Sequence, residues 1–114
     1  MLNLRLYMAQ RLTALIMVPL VLGHLGVMIY AVQGGLSVAE ILARTQGSLA
    51  WFLFYGTFVA AVAVHAAIGL RVIVFEVLGV KGMVLDLFAW AVFVILLGLG
   101  ARAVWLVTFA GSFL

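Results

Sequence analysis

The residues best suited to chemistry are two histidines, His24 and His65, in a chain of 114 residues that contains no cysteine. Each lies within a long uncharged stretch, where an ionisable side chain is costly and marks a functional position by default. A neutral imidazole can hold a metal or a haem iron, and it can also relay protons. The absence of cysteine excludes disulfides, iron–sulphur ligation and thiolate chemistry within this chain, so a redox centre held here must use histidine. The plain alternative for either residue is a neutral histidine hydrogen-bonded to a neighbouring helix.

The elements that must position these histidines are membrane spans. Hydrophobic residues make up 69% of the chain and charged residues only 8%, and the mean hydropathy is +1.43. A soluble domain of this size needs far more charge to cover its surface. The charges fall at Arg5, Arg11, Glu40, Arg44, Arg71, Glu76, Lys81, Asp86 and Arg102. Between them lie apolar runs that reach or approach the roughly 20 residues a helix needs to cross about 30 Å of hydrocarbon. Three transmembrane helices are expected, at about 12–32, 49–75 and 84–110, in a single membrane-anchor domain over 1–114. The first run follows Arg5 and Arg11 as a signal peptide would, but it is too long and lacks a small-x-small cleavage pattern, so it reads as a mature helix. The fold class is all-α, an integral membrane bundle of three helices.

Two connections complete the topology. The outer one, 33–48, opens with Gly34-Gly35 and carries Ser37-Val38-Ala39-Glu40, a capping-box pattern that starts a short interfacial helix ending near Thr45. The other, Gly79-Val80-Lys81-Gly82, is a tight turn. Arg5, Arg11, Arg71 and Lys81 fall on one side of the membrane, and Arg44 and Arg102 towards the other. That bias places the N-terminus in the cytoplasm.

If Arg11 and Arg71 mark the same interface, His24 lies about 20 Å from its arginine and His65 about 9 Å, at 1.5 Å per residue. Two imidazoles at such different depths cannot meet one iron from opposite sides. Each histidine therefore needs a partner ligand from another chain. Gly69, one turn after His65, and Gly23 and Gly26 beside His24 leave space next to the two ligand positions. Pro19, the only proline, is expected to kink the first helix. Trp51, Tyr55, Trp90 and Trp105 lie near span ends, as interfacial aromatics do, and are given no catalytic role. Glu76 and Asp86 are read as capping or pairing at helix ends.

The run His65-Ala66-Ala67-Ile68-Gly69-Leu70-Arg71-Val72-Ile73-Val74-Phe75-Glu76 resembles the second-helix signature of the cytochrome b anchor subunit of succinate dehydrogenases and fumarate reductases. Gln10-Arg11-Leu12-Thr13-Ala14 is similar to the His-Arg-x-Ser/Thr-Gly motif that opens the first helix of that family. Gln10 stands in place of the usual histidine, Ala14 in place of the glycine, and Tyr7 where a quinone-contacting serine is common. The resemblance implies that His65 is an axial ligand of haem b, with Arg71 reaching a propionate. It further implies that Arg11, with Tyr7 and Thr13, serves a quinone site or a propionate. His24 resembles the first-helix histidine of anchors that hold two haems, so the metal ligands implied are His65 and His24, for two haems shared with a partner.

The same resemblance implies a setting in the cell inner membrane and several partners: a second small three-helix anchor subunit, an iron–sulphur subunit and a flavoprotein. FAD and iron–sulphur clusters then belong to those partners alone, quinone is the substrate, and the chain passes electrons from succinate without a complete active site of its own. A rival reading is a small transporter or channel subunit using the histidines as proton relays, and another is a structural subunit without haem. The relay predicts carboxylates at mid-span, and the sequence has none there.

Overall fold

The computed structural model describes residues 3–109 and consists of four helices with no strand among the described residues. They are α1 (Leu4–Gly34), α2 (Val38–Thr45), α3 (Leu49–Leu78) and α4 (Met83–Thr108). The helices α1, α3 and α4 are each long and apolar enough to cross a membrane. Within lipid every backbone amide must find its partner inside the span, and an unbroken helix does so over its whole length. Residue 110, where the third span was expected to end, lies outside the described residues.

The first helix begins well before the apolar run, at Leu4 rather than near Leu12. Asn3 caps it, its side-chain oxygen accepting from the Leu6 amide at 2.9 Å. Arg5 and Arg11, which flank the span in sequence, are thus helical residues whose long stems carry their charge outward. The helix then runs through Pro19 as one element. Its early start places Tyr7 and Arg11 four residues apart on one face, and Gln10 and Thr13 three apart on another.

The core belongs to α3. Its Ala61, Ala63, Ala67 and Ile68 are buried, whereas Thr13 is the single buried residue of α1. Small side chains let the other helices approach α3 closely. Gly100 of α4 faces Val59, and a Cβ added at Gly100 would sit 2.4 Å from a Val59 methyl. Each neighbour of α3 runs antiparallel to it: Thr13 meets His65 and Gly23 meets Phe54 across α1, while Asp86 meets Arg71 and Phe109 meets Phe52 across α4. The turn from α3 to α4 uses Gly79 as a left-handed cap at φ +69° and Gly82 at φ +74°, a region that favours glycine.

The outer connection forms the expected short helix. Ser37 caps α2, accepting from the Glu40 amide at 3.2 Å and donating to the Glu40 carboxylate at 2.7 Å. What the sequence did not reveal is where α2 docks. The last carbonyls of a helix have no partner within it, and at the end of α4 the α2–α3 junction supplies partners. Thr45 donates to the Val107 carbonyl at 2.6 Å, Gln46 to the Leu106 carbonyl at 2.9 Å, and the Gly47 amide to the Thr108 carbonyl.

Candidate haem and quinone site

The antiparallel arrangement brings Arg5, Arg11, Arg71, Lys81 and Asp86 to one end of the bundle and Arg44 to the other. At the basic end His65 projects from α3 towards α1. Its Nδ1 lies 3.3 Å from the Thr13 hydroxyl, and that hydroxyl also donates to the Ala9 carbonyl at 2.8 Å and approaches the Gln10 carbonyl at 3.1 Å. Thr13 is only 9% exposed. The other ring nitrogen of His65, Nε2, makes no hydrogen bond among the described residues.

One turn further along each helix, Gln10 lies over Gly69, where an added Cβ would sit 3.4 Å from the Gln10 amide nitrogen. The space that Gly69 leaves beside His65 is therefore lined by Gln10. The Gln10 side-chain oxygen is buried without a hydrogen-bond partner, an expensive state for a carbonyl in an apolar setting. An orphan acceptor and the Thr13–His65 contact thus lie in the same α1–α3 seam.

His24 occupies a different level. Its ring packs on Phe58 at 5.2 Å and edge-on to Tyr55 at 6.1 Å, with no hydrogen bond among the described residues. Gly23 is closed off by Phe54, whose ring would lie 3.2 Å from an added Cβ, whereas Gly26 faces open space. Thr13 stands level with His65, so His24 lies eleven residues further along α1, or about 16 Å. The two histidines are not brought together.

The remaining candidates divide between two surfaces. Tyr7 and Arg11 meet on the exposed face of α1, the guanidinium 5.7 Å from the ring centre, beside a shallow groove of about 570 Å³ that Arg11 lines with Met8, Leu15 and Val18. Thr13 turns inward instead, to His65. Arg71 pairs with Asp86 at 3.0 Å, the helix-end pairing expected of that aspartate. Both border a cleft of about 640 Å³ between α1, α3 and α4, together with Arg5 and Trp90. The sequence assigns Trp90 only an interfacial place. Its place in the cleft follows from helix rotation, which the uniformly apolar sequence of α4 does not encode.

This donor set fits a haem better than a bare ion. Among the described residues no three of histidine, cysteine, aspartate and glutamate converge, so a metal held by protein side chains alone lacks ligands here. A porphyrin supplies four nitrogens of its own and asks only one imidazole from each side. No curated protein and no solved structure matches the chain. Over residues 2–101 the sequence matches the model of the succinate dehydrogenase/fumarate reductase transmembrane subunit, and the chain belongs to that family of multi-pass membrane subunits.

Proposed function

We propose that this membrane subunit is a haem b-binding anchor of a succinate:quinone oxidoreductase, docking the flavoprotein and iron–sulphur subunits and passing electrons from succinate to quinone. The observation that carries the reading is His65, whose Nδ1 is engaged by Thr13 while Nε2 is left without a protein partner. His65 would hold the iron of one haem and His24 that of a second, at the two levels separated along α1. A haem b at either position supplies reversible one-electron chemistry at a potential tuned by its ligand and surroundings.

The roles of the other residues follow from their positions. Arg71 donates to Asp86 and borders the cleft between α1, α3 and α4, where its planar guanidinium is the candidate for holding a propionate. Arg11 and Tyr7, on the outward face of α1, are the candidates for holding quinone or a propionate where a second small anchor subunit packs. Thr13, assigned to that group by resemblance, acts from the histidine side. The basic end, with the N-terminus, faces the cytoplasm across the inner membrane, where the iron–sulphur subunit docks.

Reduced-minus-oxidised spectra of the purified complex test this directly. Haem b bands are expected, resolving into two one-electron components on redox titration. A colourless complex would refute the haem assignment and favour a structural subunit. Family membership makes the transporter alternative less economical.

A further inference from the structure

We propose that Thr13 is a positioning residue that sets the tautomer of His65, holding the imidazole proton on Nδ1 and leaving the Nε2 lone pair as the metal-binding one. The inference rests on the haem reading of His65 and assigns the Thr13 hydroxyl a task distinct from contact with quinone.

A neutral imidazole carries its proton on one nitrogen and a lone pair on the other, and the partner of one decides the chemistry of both. Three groups surround the Thr13 hydroxyl: the Ala9 carbonyl at 2.8 Å, the Gln10 carbonyl at 3.1 Å and His65 Nδ1 at 3.3 Å. Carbonyls only accept. The hydroxyl has one proton, and the shortest contact, back to the carbonyl four residues earlier, is the usual outlet for a threonine inside a helix. With that proton committed to Ala9, the hydroxyl meets His65 through its lone pairs, so Nδ1 must bring the hydrogen. Nε2 is then the nitrogen with the free lone pair, and it has no hydrogen-bond partner among the described residues. The fold singles out this contact, since Thr13 is the one residue that α1 buries.

A ligating histidine commonly donates its second N–H to an acceptor that fixes the ring and raises its basicity. Here the acceptor is a neutral hydroxyl. Its removal makes Nε2 a poorer donor, disfavours the oxidised, more positive iron and raises the midpoint potential.

The test compares the assembled complex carrying Thr13→Ser, which retains the hydroxyl, with Thr13→Val, which replaces it by a methyl group in the same volume. The readouts are the midpoint potential of the component that His65→Leu removes, its low-spin electron paramagnetic resonance signature, and haem retained per complex. T13S should match the parent on all three. T13V should shift the oxidised-to-reduced ratio at fixed potential about tenfold towards reduced iron, 59 mV for one electron, and retain haem less well. If T13V fails to assemble, Thr13→Ala removes the same acceptor without added bulk and should move the potential in the same direction. An unchanged potential and resonance signature in the hydroxyl-free variant that assembles overturns the role of Thr13 and leaves the haem ligand in place. Absence of haem from the parent, or persistence of every component in His65→Leu, overturns the ligand assignment beneath it.

Discussion

An imidazole surrounded by hydrocarbon is stable only if its polar atoms are occupied, and the two histidines are occupied differently. His65 has a hydroxyl on one nitrogen, whereas His24 has aromatic rings alone. Haems held at the two levels, as proposed, would differ in hydrogen bonding and exposure, the features that tune potential. Replacing His65 by leucine should therefore remove the component nearer the basic end and impair assembly, while His24→Leu should remove the other component and spare more of the complex. Spectra and redox titrations of the two variants distinguish these outcomes, and a single haem that survives His24→Leu would make His24 a packing residue. Arg11 carries a second expectation. A guanidinium hydrogen bond is worth about 1.5–3 kcal/mol, so Arg11→Leu should raise the quinone KM or lower turnover about tenfold or more. Unchanged quinone kinetics would move the pocket away from the Tyr7–Arg11 face.

Among the elements, α3 is the one against which both other long helices pack, and the close fit of Gly100 on Val59 makes its seam with α4 sensitive to side-chain size. Gly100 of α4 lies against Val59 of α3. An alanine there puts its methyl group 2.4 Å from one Val59 methyl and 3.0 Å from the other, and Val59 has only a short, branched side chain with which to give way. Overpacking of this kind costs about 1–3 kcal/mol. Gly100→Ala should lower the thermal stability of the purified complex, and combining it with Val59→Ala should restore much of the loss. Gly26, on α1, offers the contrast, because an added Cβ there meets nothing within 4 Å in this chain, so Gly26→Ala introduces no such clash. A Gly100→Ala complex as stable as the parent would overturn the close fit of α4 on α3 at Val59.

For the molecule as a whole, the decisive fact is how little of it is covered. α1 buries one residue, and large apolar side chains such as Leu15, Leu22, Met28, Leu87, Trp90 and Leu99 are exposed on the helices. Lipid can cover those side chains, but it cannot supply an axial ligand. His65 and His24 lie about 16 Å apart in level, so on the proposed haem reading each haem would take its second ligand from another chain. The subunit is therefore expected to copurify with a second small three-helix protein that also carries intramembrane histidines, and mass spectrometry of the gently solubilised complex should find it. Isolation as a monomer with both haems fully ligated would overturn this.

The amino-acid sequence by itself determined the class of solvent and the number of spans, because those depend on sums of transfer energies over about 20 residues and not on which side chain meets which. It also located the capping box at Ser37 and Glu40 and the glycine turn at Gly79, which follow from local spacing along a helix, whereas the offset between the histidines, about 11 Å when counted from the two arginines, became about 16 Å once Thr13 stood level with His65. Helix rotation was a different matter. In a span apolar all round, no periodicity says which face turns inward, and interhelical packing decides it. Only the tertiary structure separated Thr13, turned in to His65, from Tyr7 and Arg11 on the outward face. It also joined Arg71 to Asp86 across two helices and capped the end of α4 with Thr45 and Gln46, 62 and 60 residues before the carbonyls they reach. The early start of α1 at Asn3 belongs here too: basic residues that mark a span's edge in sequence remain helical because their own side chains reach the polar interface.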